Sequence, residues 1–187
     1  MLLLMLGVLL FALVHLYPCF AQAHRVRLRA RLGESRYKGM FSLLLLVAIG
    51  CIVAGWRSLY PMPLYFPPSW GPAAVQGLMP LAMILLCSGQ GANHFRRWLR
   101  HPQLLGVLIW SGAHLLVNAE ARSLILFGGL GLWALVSIIW ISIRDWGRVA
   151  RPEASWQGTL TSLGLGLVAT VVLIFWGHGW LTGMALR

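Results

Sequence analysis

A chain of 187 residues, 59% hydrophobic and only 10% charged, lacks the charged side chains that cover a soluble surface, which excludes an ordinary soluble domain and points to a membrane. Its 15 Lys and Arg against 4 Asp and Glu, a formal charge of +11, would suit a nucleic-acid-binding protein, but the cations fall in short stretches between apolar runs, where they set membrane orientation instead. Cys19, Cys51 and Cys87 are odd in number, lie inside apolar runs and form no CxxC, so they indicate neither a disulfide framework nor a zinc site.

The first apolar run, residues 2–22, is interrupted by His15 and by Pro18. Ala21-Gln22-Ala23 imitates a signal-peptidase site, but no Lys or Arg precedes the run and a dense basic cluster follows it, a charge order that predicts a retained helix with its N-terminus outside the cytoplasm. Pro18 deprives the Val14 carbonyl of its helical partner and predicts a kink beside His15. Residues 24–38 hold Arg25, Arg27, Arg29, Arg31, Arg36 and Lys38 against Glu34 alone, which reads as a cytoplasmic loop. A second span is expected over 39–56. The stretch from Tyr60 to Pro72 contains five prolines among aromatic residues, which forbids a helix and suits a non-cytoplasmic loop at the membrane–water interface.

Further spans are predicted at 73–88, 102–117, 123–143 and 158–177. The fourth and fifth form a helical hairpin through the turn Asn118–Arg122. The proposed cytoplasmic loops carry twelve cations, including Arg96, Arg97, Arg100, Arg144, Arg148 and Arg151, while only Arg57, Arg122 and Arg187 fall on the other side. The fold expected is therefore an all-α integral membrane protein, one domain over residues 1–187, with about six transmembrane helices and both termini periplasmic at the bacterial inner membrane. The weakest span is the fourth, at the lower limit of length for a crossing.

Two histidines stand inside apolar spans, where lipid offers an imidazole no hydrogen-bond partner and an ionisable side chain signals function. At about 1.5 Å per residue His15 lies roughly 10 Å, and His114 roughly 18 Å, from the cytoplasmic ends of their spans, depths that tilt and the Pro18 kink can equalise. Facing imidazoles in an apolar slot suit the two axial positions of a b-type haem. Zinc fits less well, because no third or fourth ligand stands at a matching depth. Trp110, His114 and Asn118 share one helical face, as do Gly7, Phe11, His15 and Cys19. His101 precedes Pro102, which suits a first helical position and leaves His101 at the cap. Beside it, Arg96, Arg97, Arg100 and, from the first basic loop, Arg36 and Lys38 would receive haem propionates or another anion. His24 and His94 are expected to be solvated, and His178 lies at an interface.

Three blocks carry a resemblance: Val14-His15; Gly33-Glu34-Ser35-Arg36-Tyr37-Lys38-Gly39-Met40-Phe41; and Arg100-His101-Pro102-Gln103-Leu104-Leu105-Gly106 leading to Trp110-Ser111-Gly112-Ala113-His114. Together they resemble the NnrU family of bacterial membrane proteins and its plant and cyanobacterial relative, the 15-cis-zeta-carotene isomerase. The resemblance implies a role in nitrogen-oxide metabolism, the handling of nitrite and nitric oxide in denitrification, by electron transfer or in support of a membrane reductase. Likeness to the isomerase implies a haem held by two histidines, which carry over to His15 and His114. A cysteine proposed as an alternative ligand there corresponds to Ser111, which puts a haem-dependent cis–trans isomerisation in doubt. A rival resemblance rests on Arg100, His101, Pro102 and Gly106, which match the R-H-P-x-Y-x-G start of S-adenosylmethionine-dependent membrane methyltransferases of the isoprenylcysteine carboxyl type. There Leu104 replaces the tyrosine, and no acidic pair follows, since Glu153 stands alone. A membrane assembly factor without a cofactor is the third class.

Overall fold

The computed structural model describes residues 1–147 and 153–183, and the only β-pairing among them is one isolated bridge, Pro63 with Glu120. The remaining regular structure there is helical. Helix α1 (Leu2–Phe20) runs through Pro18 and closes two residues beyond it. The expected loop over 24–38 is instead helix α2 (Gln22–Leu32) and the first turn of α3 (Glu34–Arg57). The charge pattern concealed the winding propensity, because Ala, Leu and Arg, which dominate α2, are among the best helix formers. Gly33, at φ +79°, separates the two, a left-handed conformation that glycine adopts without steric cost. Lys38 pairs with Glu34 at 3.2 Å, and the Arg29 Nε donates to the same carboxylate at 2.7 Å.

No helix forms between Arg57 and Gly71, as the prolines dictate. This segment clasps the turn at residues 116–120: the Leu64 N–H donates to the Ala119 carbonyl at 2.7 Å, and the Ala121 N–H to that of Met62 at 3.0 Å. The Tyr65 hydroxyl donates to the Leu115 and Asn118 carbonyls. Helix α4 (Gly71–Cys87) leads to a short α5 (His94–Trp98). Fully buried Asn93 organises that connection, donating to the Ser88 and Gln90 carbonyls and accepting from the Arg96 N–H. His94 is part-buried, not solvated: its ring lies 4.2 Å from that of Trp156 and its Nδ1 is 2.8 Å from the Thr159 hydroxyl.

Helix α6 (Pro102–Leu115) and helix α7 (Ala121–Arg144) form the expected hairpin, and helix α8 (Trp156–Thr182) packs on α4. Arg148, Arg151 and Arg187 lie outside the described residues. Small residues set the helix spacing. A Cβ on Gly55 would stand 2.6 Å from the Leu4 nitrogen, and one on Gly106 would stand 2.9 Å from the Ala82 carbonyl oxygen, so α1 meets α3, and α4 meets α6, at close backbone approach. Leu4, Val8 and Leu130 form the buried core, with Phe11 and Trp110 packed against it.

Helices α1, α3, α7 and α8 are long and apolar enough to cross a membrane, and α4 is a shorter apolar helix. With 14 residues, α6 rises only ~21 Å, against roughly 30 Å of hydrocarbon. The expected six crossings therefore depend on counting α4 and α6, both shorter than that thickness.

Candidate functional site

Both singled-out histidines pack against α7. His15 lies among aromatic rings: Phe11 on its own helix at 4.2 Å between centroids, Trp133 of α7 at 4.9 Å and Phe41 of α3 at 5.9 Å. His114 stacks on Phe127 of α7 at 4.2 Å and 19°, with Trp110 at 4.9 Å. Among the described residues no contact joins the two imidazoles. Their partners Trp133 and Phe127 are six positions apart, a rise of ~9 Å along α7, so the two rings meet that helix at different turns.

The hydrogen bonds settle which imidazole nitrogen is free. His15 Nδ1 is 2.9 Å from the Phe11 carbonyl, and His114 Nδ1 is 2.9 Å from the Trp110 carbonyl. A carbonyl only accepts, so each Nδ1 carries the proton and each Nε2 keeps its lone pair. Such an arrangement orients an imidazole as a metal ligand through Nε2. Next to His15, the Trp133 indole N–H is buried with no hydrogen-bond partner among the described residues; the Ser111 hydroxyl, one turn before His114, is in the same state. Buried polar groups are normally satisfied, but Trp56, Ser123 and Ser137 carry unpartnered buried polar atoms as well, so these two donors do not single out the histidines. What fits haem chemically is the pair of imidazole Nε2 atoms.

Phe127 lies in a five-residue π-helical segment of α7, Leu124–Gly128, and α8 contains a second, Leu173–Gly177, immediately before His178. Single π-turns inside α-helices recur at functional sites. His178 Nδ1 is 3.3 Å from the Thr182 hydroxyl. Neither π segment has a sequence signature. Trp133 had a weak one, a large polar-edged ring in the middle of an apolar run.

The basic residues are drawn together only in part. Arg100 donates to the Asp145 carbonyl at 2.7 Å, and His101 Nε2 lies 2.9 Å from the Ser142 hydroxyl, so both tie the start of α6 to the end of α7. His101 does occupy the cap position, but its side chain makes no capping bond. Burial, reinforced by the neighbouring Arg100 charge and opposed by Asp145, lowers its pKa, so the ring is neutral at pH 7. Arg144 and the Trp140 indole both donate to the Cys19 carbonyl at 3.1 Å, fastening α1 to the same end. Arg96 is bonded to the Gly91 carbonyl in its own loop. Arg36 and Arg97 are exposed and available to an anion.

Arg122 was placed by sequence among the few cations of the opposite side. It is buried there, bonded to Glu120 at 2.6 Å and to the Leu59 carbonyl at 2.7 Å, with its guanidinium 4.4 Å from the Trp56 ring centroid.

Compared with known protein families, residues 3–186 match the family described as NnrU protein. Neither the comparison with curated proteins nor that with solved structures gives a match.

Proposed function

Since the chain belongs to the NnrU family, we propose that it acts at the bacterial inner membrane in nitrogen-oxide metabolism, holding a b-type haem through the Nε2 atoms of His15 and His114. The observation that carries this reading is the pair of fixed tautomers, each with a free Nε2 among aromatic rings in an apolar bundle. Bound haem supplies reversible one-electron chemistry, suited to exchanging electrons with a membrane reductase or to supporting one. Arg36 and Arg97, both exposed, would supply cations for its propionates, while Arg96, Arg100 and neutral His101 hold the loop and the start of α6 in place beside them. The protein is multi-pass, with its basic end cytoplasmic and both termini periplasmic, on the strength of the cation bias.

Bringing both Nε2 atoms to one iron would require the two rings to reach it from aromatic partners six positions apart on α7. The isomerase reading shares the same donors but has Ser111 in place of the thiol. For the methyltransferase reading, Arg100 and His101 would have to bind S-adenosylmethionine, yet both are engaged by α7. A deletion strain complemented with the wild-type protein, or with His15→Ala or His114→Ala, tests the role: only the wild type should restore growth and gas evolution under denitrifying conditions. Equal restoration by all three, or an unaffected deletion strain, overturns it.

A further inference from the structure

A second site lies at the basic end of the bundle, bordering His15 through Phe41 but containing neither histidine. Between α1, α2 and α3 there is an apolar cavity of about 230 Å³, its walls including Val14, Tyr17, Leu28, Tyr37 and Met40. At roughly 30 Å³ per water-sized group, it holds about eight such groups, the bulk of a stretch of hydrocarbon chain. A second cavity of about 110 Å³ is lined by His24, Arg27, Leu28 and Arg31 on one face of α2. The two abut: Leu28 borders both, and the Tyr17 hydroxyl, from the apolar one, lies 2.8 Å from His24 Nδ1, from the charged one.

One further observation says what belongs there. Tyr37 is only 8% exposed and its hydroxyl is buried without a hydrogen-bond partner among the described residues, so its ring, not its hydroxyl, walls the cavity. Arg27 and Arg31 form no ion pair among the described residues, because Glu34, the one carboxylate of this region, is taken by Arg29 and Lys38. An apolar slot bordering free cations matches the order of parts in an anionic lipid, acyl chain and then phosphate.

We propose that this is a binding site for one anionic phospholipid of the surrounding bilayer. Its acyl chain fills the cavity between α1 and α3, and the phosphate is held by Arg27 and Arg31 with His24 at its edge. The basic helix α2 thereby lies on the membrane surface as a lipid clamp.

Native mass spectrometry of the full chain in detergent, titrated with phosphatidylglycerol or with phosphatidylcholine of the same acyl chains, tests this. The wild type should retain one phosphatidylglycerol about tenfold more tightly than phosphatidylcholine, since each cation near the phosphate favours the anionic lipid. Arg27→Gln with Arg31→Gln should erase that preference. Leu28→Trp, which fills the junction from a half-buried position on α2, should expel both lipids. Equal affinity of the wild type for the two lipids, an undiminished preference in the double arginine variant, lipid retained by Leu28→Trp, or displacement of the lipid by millimolar inorganic phosphate would each overturn the assignment. Haem content should be unaltered in the double arginine variant, whose positions touch neither histidine, so loss of the lipid preference is distinguishable from failure of the two-histidine site.

Discussion

Arg122 shows how far a single side chain departs from its sequence context. An arginine in a short turn reads as a solvated charge, but this one lies against Trp56 and joins Glu120 to the end of α3. Removing one member of a buried ion pair leaves the other uncompensated, which costs about 3–5 kcal/mol. Arg122→Ala should lower the thermal unfolding midpoint in detergent strongly, and restoring neutrality with Glu120→Gln in the same chain should recover part of the loss. A midpoint unchanged by Arg122→Ala would show that the pair does not hold the fold. His101 makes a pH prediction. Its pKa in the folded protein lies below the ordinary 6.5, so below that pH the unfolded chain binds this proton more readily than the folded one, and stability falls on acidification. His101→Gln keeps a side chain able to bond Ser142 but does not titrate. The wild type should lose more stability than this variant between pH 7.5 and pH 5.5, and parallel losses would contradict the assignment. The histidines themselves were legible, because a titratable group in an apolar run stands out. Their neighbours Trp133 and Phe127, and the orphaned Tyr37 hydroxyl, were not, since aromatic residues in an apolar run look like ordinary core until packing shows which ones meet.

At the scale of helices, apolar runs and prolines locate most elements, and the exception is α2, where a dense run of cations predicts a loop but the chain is helical. What the sequence could not show is how closely the helices approach. Glycines recur throughout the chain, yet only some stand at contacts: a Cβ at Gly55 would collide with the α1 backbone, whereas one at Gly50, a little over one turn earlier on the same helix, meets nothing within 4 Å. Gly55→Ala should therefore destabilise the protein by about 1–3 kcal/mol through overpacking. Gly50→Ala should be neutral or stabilising, since alanine is the better helix former by about 1 kcal/mol. Thermal unfolding of the two variants side by side checks this, and similar effects would show that α1 and α3 do not meet as closely as described. The π segments at Leu124–Gly128 and Leu173–Gly177 belong to the same class of feature: they follow from how α7 and α8 fit their neighbours, and the residue types within them give no warning.

For the molecule as a whole, charge bias gave an orientation and the packing gave a consistent pair of ends. Cys19, Arg100, His101, Ser142 and Arg144 are bonded to one another's helices at one end, and Trp56, Leu59, Tyr65, Leu115 and Arg122 at the other. Reporter fusions should place Arg97 in the cytoplasm and Tyr60 outside it; the reverse, or both on one side, would refute the topology. Whether the Nε2 atoms of His15 and His114 hold haem iron, as proposed, is read from the absorption spectrum of the purified protein with each histidine replaced in turn. A low-spin Soret band should be present in the wild type, lost or converted in His15→Ala and in His114→Ala, and unchanged in His178→Ala. Its loss in His178→Ala but not in His15→Ala would name His178 as the partner of His114. A wild-type protein with no Soret band after expression with ample haem, or a full and spectrally normal one in His114→Ala, would rule out haem ligation by this pair.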